Sequence, residues 1–130
     1  MAGFLRLFFG RLLYGQAHER SIELLRANLT PLQLQQFQAS GYFDVIGSQT
    51  RRVYRIHRAE ARNIEEQNDK GVWQNRWCFL PIGRLPEGDI LLAQKVALEC
   101  FEPEARAVGV RTSNPESNSL FSDFTRSSRP

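Results

Sequence analysis

Side chains that could act as nucleophiles or as acid–base groups are few in this sequence and lie far apart. It contains two histidines and two cysteines, and a grouping of Cys78, His57 and Asp44 can be drawn if adjacent strands carry them. A cysteine activated by a histidine, which a carboxylate orients in turn, is a recurrent enzyme nucleophile. No spacing rule brings these three residues together, and the adjacent Glu65 and Glu66 are typical of a solvated strand. The sequence therefore predicts a protein that is not an enzyme and has no catalytic residue.

Motifs for binding nucleotides or metals are also missing from the sequence. It has no G-x-x-x-x-G-K-[ST], no G-x-G-x-x-G and no H-E-x-x-H. Cys78 and Cys100 form no C-x-x-C pair and have no histidine nearby, so they predict neither a zinc site nor a disulfide framework. We expect two buried free thiols and no cofactor or metal. A disulfide bond between Cys78 and Cys100 remains an open alternative, which the distance between the two residues decides.

Length and composition limit the classes of protein further. A chain of 130 residues with 42% hydrophobic and 24% charged residues fits one compact domain, and no apolar run approaches the roughly 18 residues that would span a bilayer. The net charge of +3 is too small to imply nucleic acid by itself. Charge is uneven, however: residues 1–18 contain Arg6 and Arg11 but no acid, whereas acids outnumber bases over residues 83–110.

Residues 1–16 predict an amphipathic N-terminal arm. On a helix with about 100° per residue, the apolar side chains share one broad face, and Arg6 and Arg11 lie on the opposite side. Arg11 interrupts the apolar run and no cleavage site follows, so we do not expect an exported protein. The arm can pack on its own domain, insert into a groove of a protein partner, or lie on a membrane surface. The arm residues expected to bind a partner are Phe4, Leu5, Phe8, Phe9, Leu12 and Leu13.

Two helices are predicted before the first strand. Residues 18–28 have apolar side chains at helical spacing. The run Thr30-Pro31-Leu32-Gln33 supplies a capping hydroxyl, a proline at the first helical position and a glutamine three residues after the cap, which predicts a helix over 31–40. Gly41 is expected to end it, because a left-handed position after a helix favours glycine.

From residue 42 the apolar period changes to two, which indicates strands. We expect strands over 42–46, 51–58, 62–67 and 72–80, joined by turns rich in Gly, Ser, Asn and Asp. Short connections of this kind join antiparallel neighbours. The sequence therefore predicts an antiparallel sheet of about four strands.

The last predicted helix covers residues 90–101, with Asp89 as its N-cap. It is apolar nearly all round, so it is either the central core helix or partly an interface, and Pro103 is expected to end it. Residues 110–130 have the composition of an extended tail. The fold class is α+β: N-terminal helices, the sheet and one buried C-terminal helix in a single domain over 17–109. The tail residues expected to bind a partner are Leu120, Phe121 and Phe124.

A cluster of arginines predicts an alternative function. Together with Trp73 and Trp77 on a neighbouring strand, they could form a basic and aromatic sheet face that stacks single-stranded RNA or DNA bases. We favour instead a core position for Trp73, Trp77 and Phe79, facing the last helix. The arginines are Arg51, Arg52, Arg55, Arg58 and Arg62.

Five short runs resemble a group of small bacterial and phage proteins. The resemblance spans about residues 30–108 and implies a fold unit, with no mechanism attached to it. The runs are Tyr54-Arg55-Ile56, Asn63-Ile64, Cys78-Phe79-Leu80-Pro81, Leu85-Pro86-Glu87-Gly88-Asp89, and Leu92-Ala93-Gln94-Lys95 continuing through Leu98-Glu99.

These patterns predict a non-enzymatic accessory subunit that fastens larger components of a macromolecular assembly through its apolar ends. Apolar side chains dominate the energetics of interfaces, and flanking arginines set orientation. The alternatives are a small module for RNA or single-stranded DNA and a peripheral membrane protein. Free thiols and the missing export signal predict a cytoplasmic location, and association with a membrane or a virion stays open.

Overall fold

The computed structural model describes residues 2–58, 62–79 and 83–113, and for residues 2–14 and 113 it describes the backbone alone. The predicted partner-binding residues of the tail lie outside this range, and so do the side chains of the predicted arm. The elements in chain order are α1 (Ala2–Ala27), α2 (Pro31–Ser40), β1 (Tyr42–Ile46), β2 (Val53–His57), β3 (Ile64–Gln67), β4 (Trp73–Cys78), α3 (Glu87–Cys100), α4 (Glu102–Val108) and β5 (Val110–Ser113).

The N-terminal part of the chain differs from the prediction of an arm followed by a separate helix. One continuous helix, α1, covers both segments. The segment contains no proline, and Gly15 inside a helix costs only about 1 kcal/mol relative to alanine, which does not suffice to end the helix.

The start and end of α2 confirm the predicted capping. The backbone N–H of Gln33 donates to Thr30 Oγ1 at 3.2 Å, and the Gln33 side chain accepts from the Thr30 N–H at 3.0 Å. Gly41 adopts the left-handed conformation, with φ of 72°, and its N–H donates to the Phe37 carbonyl.

The sheet is antiparallel throughout and has the order β1-β2-β3-β4-β5. Strands β1 to β4 were predicted, and β5 was not, because residues 110–113 were assigned to the tail. Val110 and Thr112 are β-branched, and they extend the sheet by pairing with Cys78 and Arg76 of β4.

One face of the sheet packs on the helices and forms the core. Leu25 of α1, Leu91 and Leu98 of α3 and Ala105 of α4 all contact this core. The buried apolar side chains that the sheet contributes are Phe43, Val45, Tyr54, Ile56, Ile64 and Trp77.

The two tryptophans of β4 lie on opposite faces of the sheet. Trp77 is buried in the core, as predicted, and Phe79 is partly buried and packs against the core. The prediction for Trp73 was wrong: the register shifts between Glu66 and Gln67, and the Trp73 ring lies 4.6 Å from the Arg55 guanidinium on the outer face. A β-bulge inserts one unpaired residue and so moves the next side chain to the other face.

Helix α3 begins two residues before the predicted N-cap. Pro86 occupies the N-cap position, so Asp89 lies within the first turn and caps nothing. Helix α3 ends at Cys100, shortly before Pro103 as expected, and Pro103 lies in the first turn of the short helix α4, where proline fits well. Both cysteines are free, and Cys100 is exposed rather than buried as predicted.

Helices α1 and α3 pack closely where Gly88 faces Ser21. A Cβ atom at position 88 would lie 2.2 Å from the Ser21 carbonyl oxygen, so only glycine fits there. The Gly88 N–H also donates to Ser21 Oγ at 3.1 Å. The contact therefore fixes the distance between the two helices.

We expect Gly88→Ala to lower the free energy of unfolding by about 1–3 kcal/mol, because the added methyl group separates α1 from α3. Gly15→Ala is the matched control: a Cβ there meets nothing within 4 Å, and we expect a gain of about 0.5–1 kcal/mol in helix propensity. Urea denaturation of the full chain measures both. Equal stability of the two variants would contradict the close packing of α1 on α3.

Candidate binding groove

An open apolar groove of about 680 Å³ lies between α3, α4 and Phe79. Several of its side chains are well exposed, including Phe101 at 56% and Val108 at 77%. Glu104 and Asp89 are its acidic members. The other main lining residues are Leu92, Ala93, Val96 and Ala97.

The groove follows from the composition of α3. Leu91 and Leu98 face the core, while Ala93 and Val96 lie on another side of the helix and remain partly open to solvent. A helix that is apolar nearly all round must bury its second apolar side against something else. Because Pro103 starts α4 directly after α3, the chain turns and α4 forms the second wall of the groove.

Helix α4 is held in place by the buried carboxylate of Glu102. Its Oε1 accepts from the backbone N–H groups of Gln49 at 2.8 Å and Thr50 at 2.6 Å. Its Oε2 accepts from the hydroxyl groups of Thr50 and Tyr54, each at 2.5 Å. A Cβ at Gly47 would lie 2.2 Å from the same carboxylate, so glycine makes room for it. The residues between β1 and β2, with Tyr54, therefore form a complete hydrogen-bonding site for this side chain.

Arg106, one turn after Glu102, ties α4 to the sheet through a second buried carboxylate. Arg106 Nη1 donates to Glu66 Oε1 at 2.6 Å and to the Tyr54 hydroxyl at 2.7 Å. Glu66 also accepts from Arg52 Nη1 at 3.0 Å and from the Trp77 indole N–H at 2.7 Å. We call these connected side chains the α4 network. Its members are Thr50, Arg52, Tyr54, Glu66, Trp77, Glu102 and Arg106.

The α4 network keeps both carboxylates ionised. Burial raises the pKa of Glu66, but the hydrogen bonds from Arg106, Trp77 and Arg52 outweigh burial and bring its pKa below the ordinary value. Burial also raises the pKa of Glu102, and the hydrogen bonds from Thr50, Tyr54 and Gln49 again give a net lowering. Burial, and then the bond to Glu102, raise the pKa of Tyr54, so this side chain stays a neutral donor.

The network holds α4, and with it the wall of the groove that α4 forms. Within the described residues, every buried side-chain nitrogen and oxygen has a hydrogen-bond partner. The same residues contain no group of three His, Cys, Asp or Glu side chains placed to hold a metal ion. What the groove itself presents is apolar, so the arrangement suits the burial of apolar side chains from another molecule.

The arginines of the predicted basic face are largely paired with acids. Arg55 makes two hydrogen bonds to Asp44, Arg58 makes two to Glu87, and Arg52 belongs to the α4 network. Arg51 and Arg62 both have positive φ, at 61° and 60°, and neither pairs with a carboxylate of the described residues. The predicted basic face is not assembled: Arg55 lies on the outer face of the sheet, whereas Arg52 and Arg58 pair with acids on the helix side.

The grouping of Cys78, His57 and Asp44 is not assembled among the described contacts. His57 Nε2 lies 2.6 Å from Glu65, and Asp44 is occupied by Arg55. The prediction that Glu65 and Glu66 lie on a solvated strand was wrong: Glu66 is fully buried and Glu65 pairs with His57. The two side chains lie on opposite faces of the sheet and form no acid–base pair.

The α4 network was missed by sequence reasoning. Glu102 and Arg106 have the spacing of neighbours on one helical face, which is the only local signal they carry. The partners of these two side chains lie 40 to 53 positions away in the chain. Such pairings depend on the register of the sheet, which the sequence pattern does not specify.

No family model, curated protein or solved structure matches this chain. Within the described residues, none of the helices is long and apolar enough to cross a membrane. The functional interpretation therefore depends on the groove and on the network that holds it.

We expect Glu66→Gln to lower the free energy of unfolding by about 3 kcal/mol, because it leaves Arg106 and Arg52 without their shared charge partner. The matched control is Asp69→Asn, which removes the other acid bound to Arg52. That carboxylate is 82% exposed, so its loss should cost about 0.5 kcal/mol or less. Denaturant titration measures both, and similar losses for the two variants would contradict a structural role for the network.

Stability should also fall in acid. The folded-state pKa values of Glu66 and Glu102 lie below their unfolded values, so both carboxylates stabilise the fold above about pH 4.3 and lose this effect as pH falls through their folded pKa values. Unfolding free energies between about pH 7 and about pH 3 measure the loss. Glu102→Gln should flatten the profile, and an equally steep profile in that variant would contradict the assignment.

Proposed function

We propose that this protein is a non-enzymatic accessory subunit that joins larger components of a macromolecular assembly through apolar surfaces. The observation that carries the proposal is the open groove between α3 and α4. Exposed apolar patches of this kind, held on a rigid support and bordered by polar groups, mark protein-binding sites. The predicted arm residues 1–16 supply a second apolar surface in the same chain, so one molecule can contact two components.

The support of the groove favours binding over accidental exposure. Phe101 and Val108 stand at the two ends of α4, whose inner side is fixed by Glu102 and Arg106. A preformed apolar surface loses little conformational entropy on binding, which leaves more of the burial energy for affinity. The seven residues of α4 would not form a stable helix alone. The network thus maintains a helix with the exposed apolar side chains of Phe101 and Val108 at its two ends.

Two alternatives have distinct tests. The Arg55 guanidinium lies 4.0 Å from the Tyr42 ring and 4.6 Å from the Trp73 ring on the outer sheet face, an arrangement on which nucleic-acid bases could stack. A gel shift that weakens steeply with salt would support RNA or single-stranded DNA binding. Flotation with liposomes would support peripheral membrane association through residues 1–15.

We expect Phe101→Asp to reduce the recovery of the bound component about ten- to a hundredfold, since a large buried apolar side chain contributes about 1.5–3 kcal/mol to an interface. The measurement is quantitative mass spectrometry of proteins that co-purify with the tagged full chain from its native host. The control is Val72→Asp, at a residue of equal exposure, 56%, in the turn before β4. Equal recovery with both variants would contradict the groove as the binding surface.

A further inference from the structure

We propose that the groove between α3 and α4 binds the N-terminal half of α1 from a second copy of this chain. The inference rests on the proposed function and names the partner of the groove. The contact would be heterologous: one copy gives its helix and receives another helix in its own groove.

The two surfaces match in length and in polarity. The groove follows α3 from Asp89 to Phe101, about 18 Å along a helix. The apolar residues of the arm extend from Phe4 to Leu13, about 14 Å along α1. Spacings of three and four residues, as in Phe8 and Leu12, are those by which an amphipathic helix fills an apolar groove.

The charges of the two surfaces are opposite. Asp89 and Glu104 border the groove, and neither pairs with a basic side chain of the described residues. The first 18 residues of the chain contain Arg6 and Arg11 and no acid. Opposite charges on two approaching surfaces attract each other over several ångströms without direct contact, so they steer the encounter and select its orientation.

The N-terminal half of α1 cannot reach the groove of its own molecule while α1 is one continuous helix. His18 of α1 lies 3.9 Å from Glu87 at the start of α3, and Gln33, in the first turn of the following helix α2, donates to Glu99 near the end of α3. The two helices therefore run in the same direction. The residues of α1 before His18 extend along the axis past the start of α3 by about 24 Å, away from α4. A second molecule can supply this segment where the same molecule cannot.

The C-terminal tail is the weaker occupant. Residues 114–130 contain Glu116 and Asp123 against Arg126 and Arg129, so the tail has no net positive charge to meet the acidic border. It also contains three leucine and phenylalanine residues, whereas the arm contains seven.

The test is sedimentation velocity of the full chain over a wide range of protein concentration. The wild type should associate as concentration rises, and Val72→Asp should do the same. One variant carries Phe8→Asp and Leu12→Asp, which removes the apolar surface of the arm. The other carries Phe101→Asp and Val108→Asp, which removes the apolar surface of the groove. Each of these variants alone should be monomeric, and an equimolar mixture should give one-to-one dimers and nothing larger. Circular dichroism checks that the variants are folded.

Charge reversal gives a second route that leaves the apolar residues intact. Glu104→Arg and Arg11→Glu should each weaken self-association on the order of tenfold, and combining them in one chain should restore most of it. These variants decide the question if an aspartate variant fails to fold.

Three results would overturn the inference. They are a wild type that stays monomeric at every concentration, a mixture of the two disabled variants that stays monomeric, and loss of association in a full chain carrying Leu120→Asp and Phe121→Asp. The last result would make the tail the occupant. A monomeric wild type whose groove still recovers a different protein in the co-purification experiment would overturn the second copy as partner and leave the proposed function standing.

Discussion

The burial of one ionised carboxylate, Glu102, determines how the C-terminal part of this fold is arranged. Removing a charge from water costs several kcal/mol, and the cost is met only when hydrogen bonds satisfy the charged group. Here two backbone N–H groups and two hydroxyls do so, all from the residues between β1 and β2 or from β2 itself. Tyr54 then links Glu102 to Arg106 and so to Glu66. Helix α4 has one satisfactory position, because only there are all these groups paired.

This arrangement separates the polar and apolar roles of a very short helix. Glu102, Ala105 and Arg106 face the core, whereas Phe101, just before α4, and Glu104 and Val108 lie on the solvent side. A surface helix usually turns its charged side chains to water, but here Glu102 is buried and Arg106 partly so. Because these inward residues hold α4, Phe101 and Val108 remain outside the core. They are free to form one wall of the groove beside α3, whose core side is already occupied by Leu91 and Leu98.

Local signals in the sequence were sufficient for much of the fold and for little of the site. The capping box at Thr30, the left-handed Gly41 and the period-two strands depend on neighbouring residues, and the structure confirms them. The position of Trp73 depends on a bulge, and β5 depends on a free edge of β4, so both required knowledge of strand register. The α4 network pairs residues from four separate parts of the chain. The apolar nature of α3 was compatible with a central core helix or with a partial interface, and the second wall of the groove was visible only once the position of α4 was known.

The hydrogen bond from the Trp77 indole to Glu66 gives the protein two distinguishable optical reporters. Trp77 is buried beside a carboxylate that belongs to the α4 network, whereas Trp73 stacks with Arg55 on the outer face of the sheet. Intrinsic fluorescence therefore contains one component that senses the interior support of the groove and another that senses the opposite surface. A chain in which either tryptophan is replaced by phenylalanine would separate the two emissions without an added dye.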